Sequence, residues 1–100
     1  MKAELRALSD ALTAAARARE GLIRQSETEY AHEDDALLAA AEADVAAVRR
    51  VLRAYRAAVA ASEDADPKLS EHLRAERRWV ARLDARTLRV LAKAYGELLS

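Results

Sequence analysis

Up to Asp66 the chain holds no proline and a single glycine, Gly21, and its one proline, Pro67, directly follows the polar run Ser62-Glu63-Asp64-Ala65-Asp66. Glycine and proline are the strongest local breakers of a helix, so almost nothing before that point is available to stop one. The hydrophobic fraction of 52% overstates the material for a core, because 26 of the 100 residues are alanine. Alanine has the highest helix propensity and fills little space. The expectation is therefore a single all-α domain over 1–100 whose thin core is supplemented by self-association, most simply as a dimer.

Asp66 is an N-cap candidate and Pro67 suits the first helical position. Beyond it, Leu69, Leu73, Val80, Leu83, Thr87, Val90, Leu91, Ala94 and Leu98 recur at helical steps. That spacing predicts one amphipathic helix over 67–98. Upstream, Leu5, Leu8, Leu12, Ala15, Leu22 and Ser26 form one heptad-like stripe, and Leu38, Ala41, Val45, Val48, Leu52, Tyr55 and Val59 form another in a different phase. Between them, residues 25–35 carry five acids and no glycine or proline. A turn near 31–35, with Asp34 or Asp35 capping the second helix, gives helices at about 2–31, 35–62 and 67–98. These would form three long antiparallel helices in an up-down-up bundle. The alternative is a continuous helix over 2–62, on the order of 90 Å long, that forms a helical hairpin with the last helix and dimerises as a coiled coil.

The formal net charge is zero, yet the charges fall in blocks. Residues 26–48 carry seven acids and no base, residues 49–56 carry Arg49, Arg50, Arg53 and Arg56, and residues 67–100 carry eight bases against four acids. Antiparallel packing of the second and third helices would set Glu42 and Asp44 beside Arg86 and Arg89. The Arg49–Arg56 cluster could instead meet residues 26–44 of another subunit in a head-to-tail or antiparallel contact. Exposed pairs are worth only ~0–1 kcal/mol each, so such charges select a topology more than they stabilise it.

With no cysteine, a disulfide, a thiolate metal site and a cysteine nucleophile are excluded. The balanced charge argues against a broadly basic nucleic-acid binder. No uncharged run approaches the ~20 apolar residues of a bilayer helix, and Lys2, Glu4, Arg6 and Asp10 interrupt any signal-peptide core. A cytoplasmic location is expected. Arginine outnumbers lysine 14 to 3 in this alanine-rich chain, a composition common in high-GC bacteria.

Two patterns could carry chemistry. Glu29-x-x-His32, with Glu33 beside it, places a carboxylate and an imidazole three residues apart, where both can reach one metal ion. These four residues resemble the Glu-x-x-His element of ferritin-like proteins, including the short encapsulated ferritins whose site is completed across a dimer. The resemblance implies a carboxylate/histidine metal-binding bundle with further inward glutamates. The plainer reading of the segment is a solvated acidic turn, for which no cofactor is expected. The second pattern is Arg74, Arg78, Arg82 and Arg86, an inclined stripe at four-residue steps with Trp79 among it. It could track phosphates, although Glu71, Glu76, Asp84 and Glu97 share the helix and no aromatic platform accompanies it. It could equally be a partner-binding face. Trp79 is then either an interface anchor or a core-edge residue filling space opposite alanines. Ser9, Ser26, Ser62, Ser70 and Ser100 sit in no recognisable serine–histidine motif and there is no glycine-rich phosphate loop, so an enzyme is not expected. The expected role is a non-catalytic helical interaction or assembly module that self-associates and binds a protein partner. Trp79, Arg74, Arg78, Arg82 and Arg86 are its candidate contacts, with metal and nucleic-acid binding as the alternatives.

Overall fold

The computed structural model describes residues 1–27 and 34–100, with no strand among the described residues. Four α-helices follow in order: α1 (Lys2–Ser26), α2 (Asp34–Ser62), α3 (Pro67–Arg77) and α4 (Ala85–Glu97), with a 3-10 turn at Val80–Arg82 before the last. On α1 the stripe Leu5, Leu8 and Leu12 is buried together with Ala11, Ala15 and Ala16. On α2 the buried positions are Asp44, Val51, Tyr55, Ala58 and Ser62. The two helices lie side by side, so a continuous helix over 2–62 does not form. Helix α1 ends at Ser26 rather than near 31. Asp34 and Asp35 lie inside the first turn of α2 rather than before it, where their carboxylates favour the positive end of the helix dipole. The rest of the expected turn, 31–33, lies outside the described residues.

Helix α3 starts as the sequence predicts, with the Asp66 carboxylate accepting from the Leu69 amide at 3.1 Å and Pro67 in the first turn. The expected single helix over 67–98 does not continue. It stops at Arg77, and Leu83 takes extended backbone (φ −76°, ψ 148°) before α4 begins. Two side chains satisfy the backbone groups that this break releases. The Asp84 carboxylate accepts from the Thr87 amide at 2.8 Å, capping α4. From α1, Arg19 donates through Nη1 to the carbonyls of Ala81 (3.0 Å) and Leu83 (2.5 Å). The same guanidinium holds both oxygens of Asp44 on α2 through Nε and Nη2, each at 3.1 Å. Three helices expected from the sequence are thus four.

The break reverses the chain. Ser70 and Arg77 donate to the carbonyls of Val59 and Leu52, which makes α3 antiparallel to α2. Ser9 donates to the carbonyl of Ala92 while Arg89 pairs with Glu20 at 2.7 Å, which makes α4 antiparallel to α1. The path is up-down-up-down rather than up-down-up. Restarting the helix also resets its phase: α4 buries Ala85, Leu88, Ala92 and Tyr95, whereas Val90 and Leu98 of the predicted stripe face solvent. The charge pairing shifts with it, Asp44 taking Arg19 and Arg89 taking Glu20 instead of each other.

At 1.5 Å per residue, α1 and α2 are about 37 and 43 Å long, but α3 and α4 only about 16 and 20 Å. The two short helices therefore cover one end of the α1/α2 pair. Buried residues of α1 stop at Ala16, and on α2 before Val51 only Asp44 is buried. The molecule measures 52 × 21 × 19 Å, with its core at one end and a long helical pair projecting from it. No helix of the described residues is long and apolar enough to cross a membrane.

Removing Arg19 strands a largely buried carboxylate and two backbone carbonyls at once. Arg19→Ala should lower the unfolding free energy by about 3 kcal/mol, whereas Asp84→Ala, which loses one cap, should cost about 1 kcal/mol. Urea denaturation followed by circular dichroism measures both, and a loss below about 1 kcal/mol for Arg19→Ala would show that the reversal is held by something else.

Candidate interaction surface

Glu29, His32 and Glu33, the candidate metal ligands, lie outside the described residues. Among the described residues no group of three or more histidines or acids is placed to hold a metal ion. The second histidine, His72, sits on α3 with its Nε2 3.0 Å from Glu76 Oε2, one helical turn along.

The arginine stripe is interrupted by the break. Arg74 lies on α3, Arg78 caps its end, Arg82 belongs to the 3-10 turn and Arg86 to the first turn of α4, so the four no longer follow one helix. Arg74 Nη2 lies 3.5 Å from Glu63, and the Arg82 guanidinium stands 6.0 Å from the centre of the Trp79 ring. Trp79 itself is 60% exposed at the reversal. It does not fill the core edge opposite the alanines; the small residues pack helix to helix without it.

Four of the five serines donate to backbone carbonyls. Ser9 bonds Ala92 at 2.7 Å, Ser26 bonds Ile23 at 2.8 Å, Ser62 bonds Ala58 at 2.8 Å and Ser70 bonds Val59 at 3.2 Å. A hydroxyl committed to a main-chain oxygen in this way serves packing, and in Ser70 it ties α3 to α2.

One polar cluster escaped the sequence reading. Tyr55 of α2 and Tyr95 of α4 both donate to Glu76 Oε1 of α3, at 2.5 and 2.6 Å, and their rings meet edge to face with centroids 6.4 Å apart. A single carboxylate oxygen thereby joins three helices inside the core. Burial raises both phenol pKa values well above the ordinary tyrosine range, and the Glu76 carboxylate that needs their protons raises them further. The available signals were Tyr55 within the α2 stripe and the four-residue spacing of His72 and Glu76, but Tyr95 was invisible until the phase of α4 was known.

A group of exposed apolar residues lies where the short helices do not reach. Leu38 is 59% and Val45 48% exposed on α2, and Leu37 and Ile23 are also exposed near that end. Leu38 and Val45 open the same 3-4 spaced stripe whose later members, Leu52 and Val59, are packed against the core with α3 seated on them. A shallow groove runs along this free half, lined by Ala41, Glu42, Val45, Ala46 and Arg49. Beside it Asp35, Glu42, Arg49 and Arg56 follow at seven-residue steps, all exposed.

The tyrosine cluster makes a pH prediction. With folded-state phenol pKa values above the unfolded one, its stabilisation is complete below pH about 10 and is lost as pH rises beyond that. A spectrophotometric titration should show two of the three tyrosines ionising only as the helices melt, and one fewer in Tyr55→Phe. Reversible ionisation of both at about pH 10, with unchanged circular dichroism, would contradict the cluster.

Comparison with protein-family models, with curated proteins and with solved structures finds no match for this chain.

Proposed function

We propose that the protein is a non-catalytic helical interaction and assembly module, which self-associates and receives a partner helix on the free half of α2. The observation that carries this reading is the exposure of Leu38 and Val45 at the start of a heptad stripe whose continuation is covered by α3. Helices this rich in alanine form readily without burial. Large aliphatic residues at heptad spacing add nothing to an isolated solvated helix; their contribution comes on burial against another helix. The position of Trp79 supports the same view, since an indole held beside Arg82 at the exposed reversal suits a contact anchor. The nucleic-acid alternative loses its main support, because the arginines it needs are divided among two helices and a turn.

Leu38→Asp with Val45→Asp tests the reading. Neither side chain is buried in the chain itself, so the double variant should unfold within about 0.5 kcal/mol of the parent. Sedimentation velocity should show the parent associating and the variant monomeric. A variant destabilised by more than about 2 kcal/mol would place these residues in the core, and association unaffected by the change would remove the face from the account.

A further inference from the structure

We infer that the occupant of the free half of α2 is the same half of α2 from a second copy of this chain, paired antiparallel about a two-fold axis near Ala43. This rests on the docking reading above and specifies its partner. Two observations single out a second copy. The first is the place left open. Helix α3 lies on the Leu52 and Val59 portion of the stripe through the bonds from Arg77 and Ser70, and it ends at Arg77. Above that end the stripe continues through Val48, Val45, Ala41 and Leu38 with Leu38 and Val45 exposed. A helix laid there continues the packing that α3 begins.

The second observation is charge. The flank of the stripe reads Asp35, Glu42, Arg49, Arg56 at heptad steps, acids first and arginines last. Among the described residues none of these four forms an ion pair within its own chain. In a parallel pair this flank would meet the opposite flank of the other copy, Leu37, Asp44 and Val51, whose one charged member, Asp44, is already held by Arg19. In an antiparallel pair the flank meets itself: Arg49 of each copy lies between Asp35 and Glu42 of the other, the two Glu42 side chains straddle the axis, and Leu38 meets Val48 and Ala41 meets Val45 across the seam. Only the reversed pair sets Arg49 against the acids of this flank. The start of the second copy's α2 then arrives beside the end of α3, where Arg78 and Trp79 are exposed.

The test uses the full chain and two reversed variants. Asp35→Lys with Glu42→Lys, and separately Arg49→Glu, should each weaken self-association at least about tenfold. Mixing the two should restore a heterodimer, seen by native mass spectrometry. Direction is read from cysteines, of which the chain has none of its own. Leu38→Cys mixed with Val48→Cys should form a mixed disulfide dimer on oxidation, and neither should cross-link with itself. Self-linked Leu38→Cys would mean parallel pairing and overturn the proposal. Association that is lost in the Leu38→Asp, Val45→Asp variant but indifferent to the charge reversals would overturn the antiparallel register while leaving the docking face standing. A chain that is monomeric throughout would overturn both.

Discussion

The Arg19 guanidinium is the point at which three parts of the chain are tied together. It is anchored on α1, its fork holds both oxygens of Asp44 on α2, and its remaining nitrogen takes the carbonyls of Ala81 and Leu83 where the helical ladder has been given up. A planar group with five donors can do this, whereas an ammonium offers a compact point charge in place of that fork. The geometry has a topological result. Once the carbonyls at 81 and 83 are satisfied from α1, the chain can turn there, and Asp84 restarts the helix in the opposite direction. The turn occurs level with Asp44, so α3 and α4 are confined to one end of the long pair.

That confinement divides the molecule. At the covered end the core is built from a few large side chains, Tyr55, Leu8, Leu12, Leu73 and Leu88, packed among alanines that let helix axes approach closely. Glu76 works in the same region as an acceptor shared by two tyrosines on different helices, which specifies how α2, α3 and α4 sit together. At the other end α2 continues with its heptad stripe intact and its flank charged. One stripe is thus divided, its later residues packed into the fold and its earlier ones exposed, the half proposed to receive a partner.

Much of this was legible in the sequence. The helical class followed from the near absence of breakers, the start of α3 from Asp66 and Pro67, and the buried face of α1 from its stripe; on α2 only Tyr55 of the stripe is buried, the buried face running through Asp44, Val51, Ala58 and Ser62 beside it. The break at 78–84 was not, because no glycine or proline marks it and the apolar steps through Val80, Leu83 and Thr87 run on as if the helix continued. Its local sign is the Asp84-x-x-Thr87 cap, but a cap inside a helical pattern takes effect only when the preceding carbonyls find a donor, and that donor is Arg19, far away in sequence. The misplaced face of α4 follows from the same cause. At the candidate surface, Leu38 and Val45 were recognisable as stripe residues, yet their exposure depends on where α3 ends. The arginine repeat was read as one stripe and Trp79 as an anchor or a core-edge residue; the break divides the stripe and leaves Trp79 exposed at the reversal.

The central claim is that the first half of α2 is a surface for a second helix and the second half is core. Amide hydrogen exchange across a range of protein concentrations tests it most directly. Residues 34–48 should exchange readily in dilute protein and gain protection as concentration rises, while residues 51–62 stay equally protected throughout. Protection in 34–48 that is already high in dilute protein and indifferent to concentration would contradict the account.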